Sequence, residues 1–272
     1  MCGIVGFAAS GRLQTEQLPL AMAALQHRGP DGQGESIEGQ VALGHTRLSI
    51  IDLEGGAQPL RSPCGRYVLI ANGEIYNHVE LRQELSALGA QFLTGSDCEV
   101  IMQGYALWGR DVLQRIEGMY AFALQDMQQG EVLLARDPLG MKPLYWTESA
   151  DGVRFASELK ALLALLPSSP GLNPLAVRQY SEAQHPLSDN TPFEGIRRVL
   201  AGEAVMIRHG RCEEQWRHWR AEQVEVVSES DPVAALDDLM ETVFTQHQRS
   251  DVPIGLFLSG GVDSTILLGL MR

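Results

Sequence analysis

Residues 4–9, Ile4-Val5-Gly6-Phe7-Ala8-Ala9, form an apolar run that predicts a buried strand. In residues 17–26 the pattern changes: Leu18, Met22 and Leu25 recur at helical spacing and predict a short amphipathic helix. Gly29-Pro30 and Asp31-Gly32 then break the periodicity and predict a loop. Residues 41–51 and 66–71 are rich in β-branched and large apolar side chains, which predicts strands. The run Leu48-Ser49-Ile50-Ile51 is continuous enough to be covered on both faces. Helices are predicted at 79–88, closed by Gly89, and at 99–108. Residues 120–127 and 131–136 read as one hairpin, and 143–147 with 153–156 as another. Residues 157–166 read as a helix that ends before Pro167.

From 167 to 218 the pattern is weak, with one hairpin expected around His209-Gly210. A polar, acidic stretch over 221–231 reads as a domain boundary. Asp231 then has the character of an N-cap, Pro232 suits the first helical position, and Leu236, Met240 and Val243 supply an apolar stripe. Residues 252–258 read as a buried strand that leads through Ser259-Gly260-Gly261-Val262-Asp263-Ser264 into another helix. Strands and helices in batches predict an α+β fold of sheets covered by helices rather than a strict βαβ alternation. Two domains are expected, 1–220 and 228–272.

Composition narrows the function. A chain of 272 residues with 44% hydrophobic and 20% charged positions has the make-up of a soluble globular protein. Its net charge of −13 offers no basic stripe for nucleic acid or an anionic membrane. No apolar run approaches the ~20 residues of a membrane helix. Cys2, Cys64, Cys98 and Cys212 fit neither a zinc pattern nor a small disulfide scaffold, which reads as a reduced, cytoplasmic setting.

The chemistry begins at Met1-Cys2-Gly3. If Met1 is removed, Cys2 carries both a thiol, with an unperturbed pKa of about 8.5, and an α-amine that titrates at about 7.7–8.0. Nucleophile and base then share one residue. Alone, this tripeptide is more simply a small apolar residue opening a strand. At the other end, a strand, Ser-Gly-Gly-Val-Asp-Ser and a helix make a cradle for phosphate, because glycines let backbone amides approach an anion at a helix N-terminus. The lysine of a Walker loop is absent.

In order along the chain stand Met1-Cys2-Gly3-Ile4-Val5-Gly6, His27-Arg28-Gly29-Pro30-Asp31, Arg47-Leu48-Ser49-Ile50, Asn72-Gly73-Glu74-Ile75-Tyr76-Asn77 and Gly95-Ser96-Asp97-Cys98-Glu99-Val100. Arg136-Asp137-Pro138-Leu139-Gly140 and Ser157-Glu158-Leu159-Lys160 follow. Together these resemble the glutamine-hydrolysing domain of asparagine synthetase, type B. That domain is a class II glutamine amidotransferase with an N-terminal-nucleophile fold of stacked sheets. The terminal loop resembles the pyrophosphate loop of ATP pyrophosphatases, so the second segment reads as the first elements of a truncated α/β domain.

The resemblance implies roles. Cys2 would be the nucleophile, and the Asn72 amide with the Gly73 N–H would form an oxyanion hole. An Asn-Gly pair is otherwise a hairpin turn. Arg47 would hold the glutamine α-carboxylate, Glu74 and Asp97 its α-ammonium group, and Leu48 and Ile51 would complete the pocket. Asp97 competes for this role with a plain helix cap. Leu258, Ser259, Gly260, Gly261, Asp263 and Ser264 would bind ATP, with Mg²⁺ near Asp263. No metal is expected for glutamine hydrolysis. The 136–145 and 158–160 signatures, and His27, His45 and His78, are assigned to architecture. The implied reaction couples glutamine hydrolysis to ATP-dependent amidation of aspartate. Another carboxylate acceptor, or a non-catalytic glutamine-binding module, is the alternative, and a homodimer is left open. Because Arg272 falls soon after Ser264, the acceptor site is expected beyond the chain, with 228 onward loosely packed and aspartate amidation undetectable.

Overall fold

Strand β1 (Gly3–Ala9) lies inside a sheet, as its unbroken apolar run requires. In the computed structural model, which describes residues 1–185 and 187–271, β1 pairs antiparallel with β3 (Val41–Arg47) and with β9 (Gly152–Ala156). The strand β2 (Gly32–Glu38) extends the sheet beyond β3. Strands β8 (Tyr145–Ser149) and β10 (Arg197–Arg198) extend it beyond β9. A second antiparallel sheet has the order β12 (Arg211–Arg217), β11 (Glu203–Arg208), β7 (Glu131–Arg136), β6 (Gly118–Asp126), β5 (Tyr67–Ile75) and β4 (Leu60–Arg61). Both predicted hairpins and the one at His209-Gly210 are present.

The inner faces of the two sheets enclose one core, including Ile4, Leu43, Val68, Ile70, Ala121 and Phe155. Helices α1 (Leu18–Ala23) and α4 (Leu159–Ala164) cover the outer face of the first sheet. Helices α2 (His78–Ala87) and α3 (Glu99–Trp108) cover the second. The result is a four-layer α+β architecture, helix–sheet–sheet–helix, with each sheet buried on both faces.

Three expectations change. Residues 48–51 leave the ladder after Arg47 and form a half-buried loop, because their apolar side chains face a pocket instead of a second layer. Asn72-Gly73 makes no turn: β5 runs straight through it, with Asn72 opposite Ala121 and Gly73 opposite Tyr120. Long-range pairing overrides the local turn preference there. Residues 252–258 form no strand and Phe257 is 99% exposed, since no strand among the described residues pairs with them.

A helix the pattern did not reveal, α5 (Pro174–Ala183), starts from Asn173, whose side chain accepts the Leu175 and Ala176 N–H groups. Asp231 caps α6 (Pro232–His247) through the Ala234 N–H as expected. Neither α6 nor α7 (Val262–Leu270) buries a residue among those described. Arg272, the last residue of the second predicted domain, lies outside the described residues. No described helix is long and apolar enough to cross a membrane.

Candidate active site

Cys2 stands at the leading end of β1, its carbonyl held by Arg28 and the strand behind it by Ser157. Arg28, itself buried, donates Nε–H to the Cys2 carbonyl at 2.8 Å and pairs with Glu158 at 2.8 Å. Glu158 also holds His27 at 2.9 Å and Lys160 at 3.3 Å. Ser157 exchanges two hydrogen bonds with the Ile4 backbone, at 2.8 and 3.0 Å. The His27-Arg28 and Ser157–Lys160 signatures are therefore a brace that fixes where the N-terminus points.

The thiol meets the loop after β3. The Leu48 N–H donates to Sγ at 3.4 Å, and Sγ–H faces the Leu48 carbonyl at 3.6 Å. Burial pushes the Cys2 thiol above its usual range, against the Leu48 N–H and the amino terminus, which pull it down. A thiol held protonated needs a base to become a nucleophile. The Met1 α-amine is displaced the other way, lowered chiefly by burial, and the α-amine that shares a residue with the thiol is freed only when Met1 is removed.

Opposite the thiol, β5 delivers Asn72, Gly73 and Glu74. Asn72 is 1% exposed and its Nδ2 has no partner among the described residues. A buried donor left unpaired costs about 1–3 kcal/mol, and here it faces a pocket where a ligand oxygen can accept from it. At Gly73 a Cβ would sit 2.3 Å from the Met119 carbonyl, so no side chain fits between β5 and β6 there. Cys2, Arg47, Leu48, Ile51, Asn72, Gly73, Glu74 and Asp97 all line one pocket of about 170 Å³.

The charges of the pocket are divided. The Asp97 carboxyl, pushed up to about 6 mainly by burial, accepts from the Ile75 N–H at 2.8 Å. It reaches across to β5, while the α3 N-cap position is Cys98 with no side-chain cap bond. Burial also raises Glu74, and the Glu74 charge contributes to the rise at Asp97. Arg47 turns its guanidinium onto the loop carbonyls of Leu53, Ile51 and Asp52, at 3.0, 3.2 and 2.5 Å. It organises the loop as well as facing the pocket. Lys142, lowered chiefly by burial, lines the same wall, as do Gln58, Ser96 and Met119. Sequence patterning could not place Lys142 there, because it sits in a loop that only the fold brings to Cys2.

His45, fully buried on β3, bonds through Nε2 to the Ala71 carbonyl at 3.1 Å and so ties the two sheets together beside Asn72. A carbonyl can only accept, so Nε2 carries the proton, and burial holds the ring down to about 4.

The Ser259–Ser264 stretch lies outside this pocket. Gly260 takes φ 79°, a left-handed turn that favours glycine. The Ser259 and Ser264 hydroxyls lie 3.1 Å apart, and Ser264 donates to the Gly261 carbonyl at 3.1 Å, where α7 begins. Leu258 and Asp263 flank this turn, and the stretch is exposed apart from half-buried Ser264. No group of three or more metal-ligating side chains occurs among the described residues.

Residues 1–219 match the family described as "Glutamine amidotransferase domain", and residues 235–272 match "Asparagine synthase". A putative asparagine synthetase [glutamine-hydrolyzing] of Mycobacterium tuberculosis is 37% identical over 99% of this chain and 45% of its own length. Asparagine synthetase [glutamine-hydrolyzing] 1 of Bacillus subtilis is 36% identical over 100% of this chain and 44% of its own. The chain thus spans less than half the length of these relatives. The glutamine phosphoribosylpyrophosphate amidotransferase of B. subtilis, solved with ADP and GMP, superposes with a TM-score of 0.59 at 23% identity. That likeness covers 80% of this chain and 49% of that one, and it shows a shared N-terminal-nucleophile fold.

Proposed function

Because the chain belongs to the glutamine amidotransferase domain family, we propose that its pocket hydrolyses glutamine to glutamate and ammonia. The observation that carries the reading is the unpaired, buried Asn72 Nδ2 in one pocket with the Cys2 thiol. An amide carbonyl placed between them would bring its carbon to Sγ and its oxygen to Nδ2. With Met1 removed, the α-amine of Cys2 itself takes the thiol proton as sulfur attacks. Negative charge then develops on the oxygen, where a fixed donor is most effective. Collapse of the adduct returns the proton to the leaving ammonia and leaves a thioester, which water converts to glutamate and the free thiol. Glu74 and Asp97 suit the α-ammonium group of the substrate. Arg47 suits its α-carboxylate, with the donors that the loop carbonyls leave free.

The whole protein's activity follows from its relatives as a further proposal: ammonia passes to an acceptor that ATP has activated, with aspartate as the acceptor. We assign residues 1–220 to the amidotransferase and 228–272 to the start of the synthetase. Ser259, Gly260, Gly261 and Ser264 would hold the ATP pyrophosphate, a role that suits the left-handed Gly260 and the start of α7. Asp263 would share Mg²⁺ with the phosphates, as a single carboxylate often does.

The test is saturable alkylation by a thiol-directed glutamine analogue. Labelling of Cys2 that glutamine competes away, together with glutamate release abolished in Cys2→Ala, is expected. A chain that binds glutamine without labelling or turnover is a binding module, and the proposal fails.

A further inference from the structure

The chain comes back to the pocket rim after α6. The His247 ring rests on Tyr76 with centroids 3.8 Å apart. Arg249 donates to the Tyr76 carbonyl and to both carboxylate oxygens of Glu80 on α2, at 2.7 and 2.6 Å. Asp251 then makes a two-way contact with the loop after β3. Its N–H donates to the Ile50 carbonyl at 3.0 Å, and its carboxylate accepts from the Asp52 N–H at 2.6 Å.

Asp52 is the hub of that loop. Its Oδ1 accepts from the Gly55 N–H at 2.9 Å and its Oδ2 from the Gly95 N–H at 2.7 Å, two residues before Asp97. Its carbonyl accepts from Arg47 and from the Gly56 N–H, at 2.5 and 2.9 Å. With φ at 54°, Asp52 occupies a left-handed conformation that side-chain bonding helps to hold. The backbone N–H is its remaining polar group, and Asp251 takes it.

We propose that Asp251, braced by Arg249, is a positioning residue for the glutamine site: through Asp52 it fixes the loop that presents Arg47, Leu48 and Ile51 to the pocket. This rests on reading the pocket as a glutamine site. The loop has no strand partner over 48–56, so its geometry depends on a few anchors. Arg47 is the inner anchor and Asp251 the outer one. The contact is exposed, so water replaces it when it is lost, and the consequence is a looser loop, not an unfolded protein. Asp251 also stands on the stretch that leads into the Ser259–Ser264 loop.

The test compares Asp251→Ala, Asp251→Asn and Arg249→Ala in the whole chain. It follows steady-state glutamate release and hydrogen exchange at the amides of 50–56. Asp251→Ala should raise the KM for glutamine about three- to tenfold and leave kcat within about twofold, the size expected of one partly screened charge-assisted bond. Exchange at the Asp52 amide should quicken by a similar factor. Asp251→Asn keeps an acceptor oxygen and should recover most of both. Arg249→Ala should change both in the same direction as Asp251→Ala. Unchanged KM in Asp251→Ala overturns the proposal, whatever exchange does. Should the parent chain release no glutamate, the glutamine reading fails; unchanged Asp52 exchange would then overturn the loop assignment independently, and faster exchange would support it.

Discussion

Asp97 allows the substrate-head assignment to be tested by pH. Its carboxyl is displaced from 3.8 to about 6, so ionising it in the empty pocket costs roughly 3 kcal/mol at about 1.4 kcal/mol per pH unit. Only the carboxylate attracts an ammonium group. At pH 5 about one-tenth of the empty sites are ionised, so the KM for glutamine should stand about tenfold above its neutral value. The kcat should vary less over the same interval. The assay is glutamate release from pH 5 to 8 at saturating and limiting glutamine, with circular dichroism at each pH to show that the fold persists. Asp97→Asn should raise KM about ten- to a hundredfold at neutral pH, the loss of one charged hydrogen bond, and remove most of the inflection. Glu74→Gln should move the inflection down, because the Glu74 charge helps to raise Asp97. A KM that is flat between pH 5 and 7, or an inflection that survives unchanged in Asp97→Asn, would refute this use of Asp97.

Asn72→Ala should lower kcat about 10²–10³-fold with little change in KM, as for other single oxyanion donors; a raised KM with kcat unchanged would reassign Asn72 to ground-state binding. A non-removable N-terminal extension that keeps Met1 joined to Cys2 should abolish glutamate release, because the Cys2 nitrogen then stays an amide; undiminished turnover would remove the amine from the mechanism. His45 gives a stability prediction. Its folded pKa of about 4 lies below the unfolded 6.5, so the unfolded chain binds more protons between these values. Stability should therefore fall as pH drops from 6.5 to 4, by roughly 3 kcal/mol from this residue. Asp97, raised in the fold, acts in the opposite direction between about 6 and 3.8, so the measurement must be a difference. Urea midpoints of His45→Gln against the parent should converge by that amount between pH 7 and pH 4, and a constant gap would show that His45 is not held neutral.

The sheet cores were legible because unbroken apolar runs and tight turns dominate β1, β6, β7, β8 and β9. The pocket residues were legible only through motifs. Periodicity alone marked Leu48-Ser49-Ile50-Ile51 as a strand, since apolar side chains lining a cavity and those filling a core look alike in one dimension. Strand β2 was not seen because only Ser36 of its seven residues is buried. Asn72-Gly73 carries a turn signal that its ladder to Ala121 and Tyr120 overrules. Lys142, Asp52 and Asp251 gave no local cue at all, because their importance comes from contacts between distant segments. The expectation of loose packing after residue 228 fits the unburied α6 and α7, while Arg249 and Asp251 hydrogen-bond to Glu80 and Asp52 at the surface.

The proposed nucleophile and the proposed oxyanion donor stand on different sheets, whose separation the inter-sheet core sets. Sheets that face one another stand about 10 Å apart, and side-chain volume sets that spacing. Ile4, Val68, Ile70 and Ala121 are thus a gauge block for the distance from Sγ to Nδ2, as well as a source of stability. If the pocket turns over glutamine as proposed, its geometry depends on residues that never touch substrate. On that reading a methyl group gained at Val68 or Ala121 would shift the spacing of the pocket as well as strain the core.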